Sequence, residues 1–154
     1  MVGCVKLLDA QHVDAHVDYY GLSLQDADDS WLPSMFPDGF AQGPFLSEQR
    51  GRIDFTSAGH TQTASFDVQV WDGPAPTPEG VWDESATARI ECRSGELRLW
   101  AVAGGPAPHA IALSRAPGTW NVRVQCRGRE AAARECLVGV PHGLEQYLAQ
   151  FWPA

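Results

Sequence analysis

The sequence predicts an all-β fold: an antiparallel β-sandwich of seven or eight short strands with one long aromatic loop. Three observations carry that expectation. Apolar residues recur at every second position through most of the chain, as in strands with one buried face. Clusters of Gly, Pro, Asp and Ser punctuate these runs at short intervals, where turns are needed. Six Trp, six Phe and three Tyr, within 44% hydrophobic and 19% charged residues, supply volume for a packed core. At 154 residues the chain reads as a single domain, residues 1–154.

The first strand sets Val13, Ala15, Val17 and Tyr19 on one face and His12, Asp14, His16 and Asp18 on the other. At Tyr20-Gly21 the alternation slips by one residue before Leu22 and Leu24 resume it, which a bulge at Gly21 would explain. Residues 25–49 form the long loop, with Pro33, Pro37, Pro44 and the apolar residues Trp31, Leu32, Met35, Phe36, Phe40 and Phe45. A loop of that length is pinned by its own side chains or carries function. A short helical turn fits between Trp31 and Phe36. Strands resume with Ile53 and Phe55 inward, then Phe66, Val68 and Val70. Residues 73–80, rich in proline, form an extended connection. Around Ser94-Gly95 the two flanking runs are expected to pair as a hairpin, residues 89–93 against 96–100, with Glu91 opposite Arg98 and Cys92 opposite Leu97. A strand follows at residues 110–114, and another at 119–127 turns Trp120, Val122, Val124 and Cys126 inward. In the last segment Leu144, Tyr147, Leu148 and Phe151 fit helical spacing, while Tyr147, Ala149 and Phe151 alternate as in a strand.

Composition narrows the function classes. The net charge is −8, and residues 1–84 carry 14 acidic and 3 basic side chains, against 5 acidic and 8 basic in residues 85–154. That balance disfavours nucleic acid as a ligand and suits a basic protein partner. No apolar run approaches the roughly 20 residues of a membrane-spanning helix. The opening residues, interrupted by Lys6 and Asp9, do not read as a signal peptide, so the expected location is the cytoplasm. Cys4, Cys92, Cys126 and Cys136 form no metal-ligand spacing and are expected as thiols.

Two clusters could carry chemistry. His12, Asp14, His16 and Asp18 share a strand face, but His12 and His16 lie roughly 13 Å apart at about 3.3 Å per residue. Only adjacent members such as Asp14 and His16 could share a metal ion, with further ligands from elsewhere. The ordinary alternative is a polar outer face, so no metal and no cofactor is expected. Asp26, Asp28, Asp29 and Ser30 open like a calcium loop, yet Trp31 stands at the turn glycine position and Pro37 at the closing acidic one. Asp26, Asp28, Asp29 and Trp31 instead make a candidate partner-binding site, combining charge with an aromatic anchor. No GxSxG, phosphate-binding glycine loop or HExxH occurs, and no catalytic residue is assigned.

Two stretches bear a family resemblance. Val17-Asp-Tyr-Tyr-Gly-Leu-Ser-Leu-Gln-Asp26 is similar to the first strand of the ComJ family, and Ala116-Pro-Gly-Thr-Trp-Asn-Val-Arg-Val-Gln125 resembles its Pro-Gly-aromatic late strand. The order between them also matches: a long aromatic loop, an Ile-x-Phe strand, a central strand and a hairpin. The ending Tyr147-Leu-Ala-Gln-Phe-Trp-Pro-Ala154 looks like that of small actinobacterial proteins of similar layout and tips the last element to strand. The resemblance implies a small bacterial β-rich protein without enzymatic activity, binding a nuclease or toxin as an inhibitor or immunity-type partner. It transfers no site residue. A metal-binding module or metal-dependent enzyme on Asp14 and His16, and a structural accessory domain, remain the alternatives.

Overall fold

The computed structural model describes residues 4–36, 43–113 and 117–154, where the period-two alternation becomes two sheets enclosing one core. Expectations placed on Pro37, Phe40 and residues 114–116 lie outside these residues. The strands are β1 (Leu7–Val17), β2 (Gly21–Asp26), β3 (Leu46–Gln49), β4 (Arg52–Thr56), β5 (Gln62–Trp71) and β6 (Glu84–Cys92). They continue as β7 (Glu96–Ala101), β8 (Gly105–Pro106), β9 (Ile111–Ala112), β10 (Gly118–Arg127) and β11 (His142–Pro153). A 3₁₀ turn covers Asp29–Trp31 and one helix, α1, covers Arg129–Glu135. The fold is therefore all-β, as the alternation implies. It has eleven strands among the described residues rather than seven or eight, and the longest reach 10–12 residues.

The first sheet runs β1-β5-β11-β10-β6 and the second β3-β4-β2-β7-β8, with β9 also paired to β7. Every pair is antiparallel except β5 with β11, which is parallel. A parallel pair leaves no short-range trace in the sequence, because its strands are joined by a long crossover. Ala15, Val17, Phe66, Val68, Ile90, Val122, Val124, Tyr147 and Phe151 of the first sheet meet Leu22, Leu24, Ile53, Phe55, Leu97 and Leu99 of the second. At the centre Tyr147 stacks on Phe66 at 5.4 Å and on Phe45 at 6.2 Å, so the loop aromatic Phe45 is pinned inward. The proline-rich residues 73–80 carry the chain across the outer face of the first sheet. Arg123 donates to the carbonyl of Ala75 (3.3 Å), and Gln150 to that of Pro76 (3.1 Å).

Several expectations are corrected. The slip at Tyr20-Gly21 is no bulge: Asp18 and Gly21 close a tight turn (Gly21 N to Asp18 O, 2.9 Å) that carries the chain from one sheet to the other. Tyr19 is accordingly exposed, not inward, and Asp18 is buried rather than on the polar face. The Ser94-Gly95 hairpin does not form either. β6 pairs with β10 and β7 with β2, so Glu91 and Arg98 lie in different sheets. The inward faces were read correctly, since Ile90, Cys92, Leu97 and Leu99 are all buried. They meet across the core instead of side by side. Lastly, among the described residues the strand expected at 110–114 covers Ile111–Ala112, the helical turn lies at Asp29–Trp31 and not between Trp31 and Phe36, and α1 has no counterpart in the pattern.

Candidate functional site

Of the four residues expected to bind a partner, Asp26 and Trp31 meet the corner at Arg93-Ser94, and the four do different jobs. Asp26, at the end of β2, is fully buried. Its carboxylate accepts from the backbone N–H of Arg93 (2.8 Å), the Ser94 hydroxyl (2.5 Å), the indole N–H of Trp31 (2.9 Å) and the N–H of Asp28 (3.1 Å). Desolvation pushes its pKa up, but the bonds from Ser94, Arg93, Asp28 and Trp31 outweigh it and hold the carboxyl below the ordinary aspartate value. Asp26 thus anchors the crossing from β6 to β7 and presents no surface to a partner. Trp31 is half-buried: the Arg93 guanidinium lies 4.0 Å from its ring centroid, and Gly51 leaves no room for a Cβ, which would sit 2.7 Å from the ring. Asp28 caps the 3₁₀ turn through the Ser30 N–H (3.1 Å) and hydroxyl (2.6 Å). Of the four, Asp28 and Asp29 stand exposed.

On the outer face of the first sheet, His12 bridges two carboxylates, Asp67 at 2.7 Å and Asp14 at 3.3 Å. The hydrogen bond to Asp67 raises its pKa above the ordinary histidine value. His142 approaches Asp14 at 3.7 Å, and His16 approaches Asp18 at 3.9 Å. Asp14 and His16 line a groove of about 220 Å³ together with Leu99, Ala101 and Pro106. Among the described residues, no three His, Cys, Asp or Glu side chains form a set able to hold a metal ion.

Two buried polar clusters left no signature in the sequence, because partners that complete them, such as Ser57 for Glu145 and Ser23 for Asp54, lie far away in the chain. Glu145 is fully buried beneath α1 and accepts from the Ser57 hydroxyl (2.8 Å), the Tyr147 hydroxyl (2.5 Å) and the Ala58 N–H (2.9 Å). Arg129 stands 3.7 Å from it and Gln62 donates to Ser57 (2.8 Å). Burial, reinforced by the Glu145 charge, holds the Tyr147 phenol well above its ordinary pKa and pushes the Cys126 thiol up to about 12. A serine bonded straight to a buried carboxylate, with no imidazole between and no access from solvent, is no nucleophile. Arg52 and Asp54 form the second cluster, paired at 2.9 Å and almost wholly buried. Arg52 also donates to the carbonyls of Pro33 and Ser34, while Asp54 accepts from Ser23 (2.6 Å) and from the N–H of Phe36 (3.2 Å). This pair ties the start of the aromatic loop to the second sheet.

Neither a protein-family model nor a curated protein sequence matches this chain. Solved structures do. The crystal structure of ComJ from Bacillus subtilis, described as an inhibitor of the DNA-degrading activity of NucA, superposes with a TM-score of 0.64 at 10% identity. That match covers 99% of this chain and 100% of ComJ. The chain has a ComJ-like fold. The resemblance read from the first and late strands is therefore present in three dimensions, despite the low identity. The product of crocagin biosynthetic gene J also shares the fold, with a TM-score of 0.56, 15% identity and coverage of 94% and 97%. Among the described residues, no helix of this ComJ-like fold is long and apolar enough to cross a membrane.

Proposed function

We propose that the chain is a non-enzymatic protein-binding module that inhibits a nuclease- or toxin-type partner in the cytoplasm. One observation carries this reading: ComJ, described as a nuclease inhibitor, matches the chain along essentially its full length. The second neighbour, named for a biosynthetic gene, places the same fold in another setting, so fold alone does not choose the partner. Charge favours a basic one, since the chain carries −8 overall. Asp28 and Asp29 then act as exposed steering charges and Trp31 as a partly covered contact, with Asp26 holding their turn in place.

The test is to co-purify the partner, identify it and titrate its DNA- or RNA-cleaving activity with this chain. Stoichiometric loss of cleavage is expected. A partner whose cleavage is indifferent to saturating amounts, or a chain that itself turns over substrate, overturns the reading. Replacing Asp28 and Asp29 by Asn should slow association at low ionic strength, an effect that salt removes.

A further inference from the structure

Among the described residues, the Asp18-Tyr19-Tyr20-Gly21 turn sets two consecutive non-glycine residues at positive φ. Tyr19 and Tyr20 have φ of 51° and 61°, so both central positions adopt the left-handed conformation of a type I′ turn. Asn-Gly fits that turn without strain, whereas bulky side chains are disfavoured there. Neither ring repays the strain by burial, with relative exposures of 52% and 44%. Both rest against His60, at centroid distances of 5.1 and 5.2 Å, and Tyr20 is bonded by its backbone to His60 and Ser57. Strain of this kind concentrates at functional sites, and exposed aromatics are frequent contact residues.

The turn is continuous with the groove described above. Asp18 accepts from the N–H groups of Ala103 (3.0 Å) and Gly104 (2.9 Å), and Gly104 and His16 form part of the groove wall. Gly104 keeps that wall open, since a Cβ there would lie 3.0 Å from the His16 ring. The apolar residues Leu99, Ala101 and Pro106 line the groove together with the half-exposed carboxylate of Asp14. His12 and His142 approach that carboxylate from either side, at 3.3 and 3.7 Å, without enclosing it. A long aliphatic stem ending in a cation matches such a lining, its methylenes against the apolar residues and its charge at Asp14. Tyrosine rings exposed on the adjoining turn attract the same class of cation.

We propose that the Tyr19-Tyr20 turn and the adjoining groove form a docking site for an arginine-bearing segment of a basic protein. The site lies at the Gly21 end of β2, the opposite end from Asp28 and Asp29. It deepens the inhibitor reading by naming where and by what chemistry the partner is held, and it rests on that reading for its biological setting.

The test uses the whole chain and a defined probe, the acetylated and amidated peptide Gly-Arg-Gly-Arg-Gly, followed by amide NMR. Saturable shifts are expected at His16, Tyr19, Tyr20, Ala103 and Gly104, with the citrulline analogue about tenfold weaker. Asp14→Asn should weaken the arginine peptide about fivefold. Equal shifts with the citrulline peptide, shifts confined to Asp28 and Asp29, or no saturable shift at all would overturn the docking site. A Tyr19→Asn/Tyr20→Gly variant should keep or raise the melting temperature, by up to about 6 °C, while losing the peptide. A melting temperature lowered by several degrees would make the tyrosines packing elements and also overturn the proposal. The nuclease titration fails or succeeds separately: a chain that docks the peptide but inhibits no nuclease loses the inhibitor reading alone.

Discussion

Asp26 shows how far a side chain's role can differ from its apparent one. In sequence it opens a run of carboxylates; in the fold it accepts from Arg93, Ser94, Trp31 and Asp28 among others. Nothing within five residues of Asp26 announces the corner at residues 93–94 that it anchors. Asp26→Asn turns an acceptor into a donor facing these N–H and O–H groups, so a loss of about 2–3 kcal/mol in chemical denaturation is expected. Asp28→Asn, an equally good cap at an exposed position, should cost well under about 1 kcal/mol. Because the folded-state pKa of Asp26 is depressed, its stabilisation is present above the ordinary aspartate range. It is lost as pH falls through the lowered value. The wild type should therefore show an acid-side fall in stability that is shallower in Asp26→Asn. Thiol labelling gives an independent check on burial: Cys92, pushed up to about 11 by burial and then by the Asp26 charge, and Cys126, at about 12, should stay unlabelled at pH 8 until unfolding, while exposed Cys4 reacts at once.

At the scale of elements, faces were legible and partners were not. Alternation fixes which side chains point inward, and it did so correctly for β4, β5, β6, β7 and β10. It carries no information on which neighbour a strand joins, because β6 could lie beside β7 or across the core from it with the same residues buried. That choice rests on long-range bonds such as those of Asp26 and Glu145, which join residues 67 and 88 positions apart. The candidate site was legible only in part for the same reason: Asp28 and Asp29 could be read as exposed, whereas the burial of Asp26 and the Tyr19-Tyr20 display both depend on a corner between sheets. Arg52 ties β4 to the loop start at Pro33 and Ser34. Arg52→Met leaves the buried Asp54 without its cation, and a loss of about 3–5 kcal/mol is expected, measured by urea unfolding. Proteolysis should then open near residues 33–36 before it opens elsewhere.

At the scale of the whole molecule, the charge asymmetry between the chain's halves is dispersed, because each sheet draws strands from both. β1 and β5 sit with β10 and β11, and β2, β3 and β4 with β7. The position of β11 has a different kind of consequence. It is the last strand in the order and yet the middle strand of the first sheet, hydrogen-bonded on one side to β5 and on the other to β10. A chain cut after residue 141 should thus give no cooperative thermal transition and should aggregate, as light scattering would register. During synthesis the same arrangement imposes a delay. Until residues 142–153 leave the ribosome, β5 and β10 each offer an unpaired edge with aromatic surface beside it, a template for joining other chains. The first sheet cannot be completed piecemeal from the N-terminal side, and the nascent protein should depend on a chaperone that shields those two edges until β11 arrives.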